Sequence, residues 1–87
     1  MAKQYSVETE ETTDLNYAAF LVASGFKFLE PPTPHGRYIL FTFKKTQELE
    51  EAKFNYFNRN AKVDALTFGE AIRSLFALQR KGGGINE

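Results

Sequence analysis

The spacing of apolar and polar residues changes period several times along the chain. Residues 4–9 alternate, with Tyr5 and Val7 separated by Ser6 and Glu8, which predicts a short first strand. From Leu15, the apolar residues Leu15, Ala18, Ala19 and Val22 recur at the spacing of one helix face, and Phe20 and Leu21 widen that stripe. Thr12, Thr13 and Asp14 stand just before it with side-chain acceptors suited to an N-cap. Gly25 suits the left-handed residue that ends many helices, with Phe26 packing back on Leu21 in a Schellman-type finish. Alternation returns at residues 26–29 and, most strongly, at residues 37–43 (RYILFTF). There Ile39, Phe41 and Phe43 point to one face and Tyr38, Leu40 and Thr42 to the other. The two runs predict an antiparallel hairpin whose long connection, residues 30–36 (EPPTPHG), is stiffened by three prolines.

Helical period resumes after Thr46, a second N-cap candidate. Leu49, Ala52, Tyr56 and Phe57 make the expected core stripe, and Glu48, Glu50 and Glu51 complement the positive end of the helix. Asn58, Arg59 and Asn60 form its exit. Residues 61–66 suit an extended stretch, an edge strand around Val63. Thr67 and Glu70 match the capping-box spacing and set the start of a third helix. Its inner face is Phe68, Ala71, Ile72 and Leu75 with Leu78 on the flank; Arg73, Ala77, Arg80 and Lys81 lie opposite. Gly82, Gly83 and Gly84 end it. The order β-α-β-β-α-(β)-α implies a two-layer α+β domain, a small antiparallel sheet with helices packed on one face. It spans residues 1–81, and residues 82–87 form a flexible Gly-rich tail. One core is expected to gather Leu15, Val22, Phe41, Phe43, Leu49, Phe68, Ile72 and Leu75.

Composition narrows the chemistry. The 87 residues include nine Phe and no Cys. Aromatic packing is then the main cohesive term, since a buried Phe contributes about 1.5–3 kcal/mol. Without Cys there is no disulfide framework, no thiolate metal site and no cysteine nucleophile. A small disulfide-free domain with a polar N-terminus suits the cytoplasm, and no run is long and apolar enough to span a membrane. Net charge is zero, but residues 1–31 hold five acids against two bases, so the later chain is basic. That balance disfavours a strong non-specific polyanion binder and leaves room for a local basic patch.

The candidate sites are few. His35 is the single histidine, sits in the Pro-rich connection, and has no ligand partners in its vicinity, so an exposed tip residue explains it better than a metal site. Glu48, Glu50 and Glu51 occupy helix positions that point in different directions, and Glu8, Glu10, Glu11 and Asp14 suit an exposed solubilising stretch. Residues 81–84 (KGGG) lack the strand-loop-helix setting of a phosphate loop. Residues 31–34 (PPTP) suit a rigid connector more than a polyproline ligand. Two surfaces remain. Lys27, Arg37, Lys44 and Lys45 lie on or beside the hairpin with Tyr38 among them, a basic and aromatic mixture able to contact phosphates and stack a base, or else ordinary surface balancing the acids. Tyr38, Leu40 and Leu29 lie on the hairpin face turned away from the core, which marks an interface unless another segment covers it.

Thr12-Thr13-Asp14-Leu15, Ala18-Ala19-Phe20-Leu21 and Gly25-Phe26 resemble the opening of a small domain-of-unknown-function family seen in bacteria, phages and mobile elements. Arg37-Tyr38 with Phe41-Thr42-Phe43, the helix end near Tyr56-Phe57, and Val63-Asp64-Ala65 before a helix with Leu75 are similar to it too, over residues 5–80. The resemblance implies a stand-alone α+β domain, phage or mobile-element borne, and carries over no catalytic residue. The expectation is a non-enzymatic interaction module without cofactor or metal. It binds a protein partner, or itself as a homodimer, through the hairpin face. The alternative is a nucleic-acid-binding accessory protein that uses the basic patch.

Overall fold

Strand β1 (Thr9–Thr12) leads into helix α1 (Leu15–Ala23), then strands β2 (Thr33–His35) and β3 (Tyr38–Lys44), and helices α2 (Gln47–Phe57) and α3 (Ala65–Leu78). The structure is a computed structural model and describes residues 8–83. The three strands form an antiparallel sheet in the order β1-β3-β2, with helices on its inner face, so the chain is an α+β domain.

Local chemistry sets the helix boundaries. The Asp14 carboxylate accepts the Tyr17 N–H at 3.1 Å and starts α1. At the other end Gly25 adopts φ +103°, and the N–H groups of Phe26 and Gly25 donate to the carbonyls of Leu21 and Val22, the Schellman pair. Thr46 caps α2 through the Leu49 N–H at 3.1 Å. The exit of α2 repeats the Schellman pattern with the N–H groups of Asn60 and Arg59 on Asn55 and Tyr56, but here Arg59 takes the left-handed position at φ 63°.

Helix α3 starts earlier than its sequence suggests. Asp64, not Thr67, is the N-cap: its carboxylate accepts the Thr67 N–H at 2.9 Å, and the Thr67 hydroxyl donates to the same oxygen. Both residues offer a cap, and the upstream one adds a turn of helix. The stretch around Val63 is therefore connection and N-cap rather than a strand. The helix also continues past Leu78 as a π-helical turn through Gln79–Gly83, so Gly82 and Gly83 do not stop it. The expected tail beyond that turn, residues 84–87, lies outside the described residues.

The hairpin differs from expectation in a useful way. Residues 33–35, within the Pro-rich segment, form β2, and the turn is the tight pair Gly36-Arg37, because His35 pairs with Tyr38. Gly36 at φ 65° supplies the positive φ that a type II′ turn needs at its first central residue. Residues 28–29 meet β3 further along: Phe28 bridges Phe43 and the Leu29 N–H donates to the Thr42 carbonyl at 2.7 Å. Between the two contacts Glu30, Pro31 and Pro32 bulge away. The first strand lies at Thr9–Thr12 and pairs Glu10 with Phe43; most of the expected strand at residues 4–9 falls outside the described residues.

The core lies between α1, the inner face of β3 and single faces of α2 and α3. Phe41, Phe43, Leu21 and Leu49 are its largest fully buried side chains. Leu75 is buried with them, and Leu15, Val22, Phe68 and Ile72 pack against its margin. Phe28 closes it over Phe41 and Phe43, ring centroids 5.7 and 5.3 Å away. Phe57 is not core: it is 60% exposed, touching Tyr17 and Tyr56 by one edge.

Candidate functional site

Alternation along β3 carries the outer sheet face. Because Ile39, Phe41 and Phe43 turn inward, Tyr38, Leu40, Thr42 and Lys44 lie on the other side of the strand, where Thr42 is buried and Tyr38 and Lys44 are exposed. Phe28 packs inward, so its neighbour Leu29 faces outward beside Thr42. Leu40 follows two residues along β3 and Tyr38 two further, so Leu29, Leu40 and Tyr38 form one continuous strip. Tyr38 is 51% and Leu29 42% exposed, and Leu40 is half-buried. His35 lies opposite Tyr38 and is exposed.

The basic residues do not gather into one patch. Arg37 is in the turn, whereas Lys44 and Lys45 are at the far end of β3, roughly 20 Å away at the usual strand rise. Phe28 bridges Phe43, so Lys27 belongs to the Lys44 end. Lys45 is also occupied, with its ammonium 3.5 Å from the Glu50 carboxylate.

One polar cluster departs from the sequence reading. Glu10 was expected on an exposed acidic stretch, yet it is 8% exposed and points inward beside Phe43. The Tyr17 hydroxyl donates to it at 3.2 Å and the Lys53 ammonium lies 3.1 Å from the same oxygen. Burial, and then the Glu10 charge, push the Tyr17 hydroxyl well above its ordinary pKa. Burial, then the Asp14 charge, also raise Tyr56. The Thr67 N–H and hydroxyl hold the Asp64 carboxyl below its ordinary value. This cluster joins β1, α1 and α2. Its sequence signal is faint, since its members come from β1, α1 and α2. Among the described residues no three of His, Asp and Glu come together as a metal site.

The sequence profile of a domain of unknown function, DUF5659, matches residues 8–80. The chain is a DUF5659 domain. The match covers every strand and α-helix of the DUF5659 fold, from β1 to α3. Neither the curated proteins nor the solved structures compared with the DUF5659 chain give a match. Among its described residues no helix is long and apolar enough to cross a membrane.

Proposed function

We propose that this DUF5659 domain is a non-enzymatic interaction module that binds a protein, another chain or a second copy, through the outer hairpin face. The observation that carries the reading is the contrast within β3. One face is buried to the last side chain, while the other, covered at Thr42, keeps Tyr38 in solvent next to Leu40, with Leu29 of the adjoining segment exposed beside them. Apolar side chains held together at a surface gain most when a partner removes them from water. The setting that goes with this reading is the cytoplasm, in the phage and mobile-element context that the sequence resemblance implies.

The test is the double variant Tyr38→Ser, Leu40→Ser. Circular dichroism should show an intact fold, and light scattering or capture from host extract should show weakened association. A folded double variant that associates like the parent rejects the reading. Capture that disappears on nuclease treatment and falls steeply with salt would support the nucleic-acid alternative instead.

A further inference from the structure

Helices α2 and α3 each leave one aromatic-bearing face in solvent, and the two faces carry opposite charge. On α2, Leu49, Ala52, Lys53 and Tyr56 turn toward the rest of the fold. The opposite side presents Gln47, Glu50, Glu51 and Asn55 around Phe54, which is 66% exposed, and these residues line a hollow of about 360 Å³. The single cation of α2, Lys53, is drawn inward to Glu10, so α2 itself adds only acids to this face; Glu50 is bridged at its margin by Lys45 at 3.5 Å, and Glu51 stands without an ion pair among the described residues.

On α3, Phe68, Ala71, Ile72 and Leu75 turn inward. Opposite them lie Leu66, Arg73, Phe76 and Arg80, with Leu66 80% and Phe76 50% exposed. The Arg80 guanidinium lies over the Phe76 ring, 5.9 Å from its centroid. The single acid of α3, Glu70, borders the groove shared with Val22, Ala23 and Ser74 and stands at the edge of this stripe, one turn from Arg73. An aromatic beside a mainly acidic set remains on α2, and one beside a mainly basic set on α3.

We infer that copies of this chain associate with one another through these faces, the acidic outer face of α2 in one copy against the basic outer face of α3 in the next. The occupant is a second copy because both halves of the complementary pair stand on one chain of zero net charge. Phe76 and its guanidinium match the acid-rimmed hollow around Phe54. Since the two faces differ, the contact is heterologous, and each copy offers one face of each kind. α1 packs against both helices, so the fold supports the two faces from within. The inference is independent of the hairpin face.

Sedimentation of the full chain at low salt tests it. The parent's mass should rise with protein concentration and fall back as salt screens the charges. One variant, Glu50→Gln, Glu51→Gln, Phe54→Ala, removes only the α2 face; another, Arg73→Gln, Phe76→Ala, Arg80→Gln, removes only the α3 face. Each alone should bind itself about tenfold or more weakly, the loss expected for one anchor contact. Mixed one to one, they should form a heterodimer that grows no further, because each supplies the face the other lacks. The Tyr38→Ser, Leu40→Ser variant should keep the salt-dependent part of this association, which the charged α2 and α3 faces carry, whatever part it loses at the hairpin face. A parent that stays monomeric at low salt, a single-face variant that self-associates as strongly as the parent, or a mixture that stays monomeric would each overturn the inference.

Discussion

The ammonium of Lys53 on α2 reaches the same Glu10 carboxylate oxygen that accepts the Tyr17 hydroxyl, at 3.1 and 3.2 Å. One oxygen thus ties β1, α1 and α2 together. The tie matters most for α2, whose only fully buried side chain is Leu49. Glu10→Ala should destabilise the fold by about 2–4 kcal/mol, because it leaves a buried hydroxyl and an ammonium without their acceptor. Lys53→Ala should cost less, about 1–2 kcal/mol, since the ammonium is partly in solvent. Denaturant unfolding of the two variants and their double mutant measures the coupling; additive losses would mean the tie contributes nothing.

Alkaline pH should loosen the same region. Tyr17 and Tyr56 keep their protons in the fold beyond the ordinary tyrosine pKa of about 10. Above that pH the unfolded chain loses phenolic protons that the folded chain still holds. The unfolded state then binds fewer protons, so stability falls as pH rises, and it is unaffected by these groups below about pH 10. Thermal melts through this range should show the decline, with a shallower slope for Tyr17→Phe. An equal slope in that variant would remove Tyr17 from the account.

The two Schellman ends make a matched pair of backbone tests. Arg59 holds φ 63° with a side chain that disfavours it, and Gly25 holds φ 103° with nothing within 4 Å of an added Cβ. Arg59→Gly should stabilise the fold by up to about 1 kcal/mol, and Gly25→Ala should destabilise it by about 1 kcal/mol or more through backbone strain alone. Opposite shifts in melting temperature are the expected result; shifts of the same sign would place the strain elsewhere.

Phe41 is 1% exposed and stacks with Phe28. Phe41→Ala should cost about 3–5 kcal/mol, enough to unfold a small domain. A melting curve that barely moves would show that the inner sheet face is packed by other residues.

What the sequence made legible was local. The Asp14 and Thr46 caps, the Gly25-Phe26 ending and the inward set Ile39, Phe41, Phe43 follow from neighbours a few residues away, and all stand in the fold. Errors arose where distance or competition decides. Glu10 looks exposed because its partners Tyr17 and Lys53 lie 7 and 43 residues downstream. Asp64 and Thr67 both qualify as caps, and the spacing does not say that one bonds the other. Pro34 reads as loop, yet it sits in an edge strand. The hairpin-face strip was legible from alternation alone; the acidic outer face of α2 was not, since it needs Lys53 to be drawn inward to Glu10.

Pro34 has a consequence for how this sheet ages in solution. His35 and Tyr38 flank a two-residue turn and so form a hydrogen-bonded pair, which makes Pro34 and Ile39 the adjoining non-bonded pair. The Pro34 nitrogen therefore faces out from the free edge, where it has no hydrogen to donate. A stray strand arriving there finds a gap in the middle of the ladder it would copy. That edge is a poor template for a further strand, at no cost to native pairing. The domain thus carries an apolar strip on its face while Pro34 leaves its β2 edge one donor short of a regular ladder.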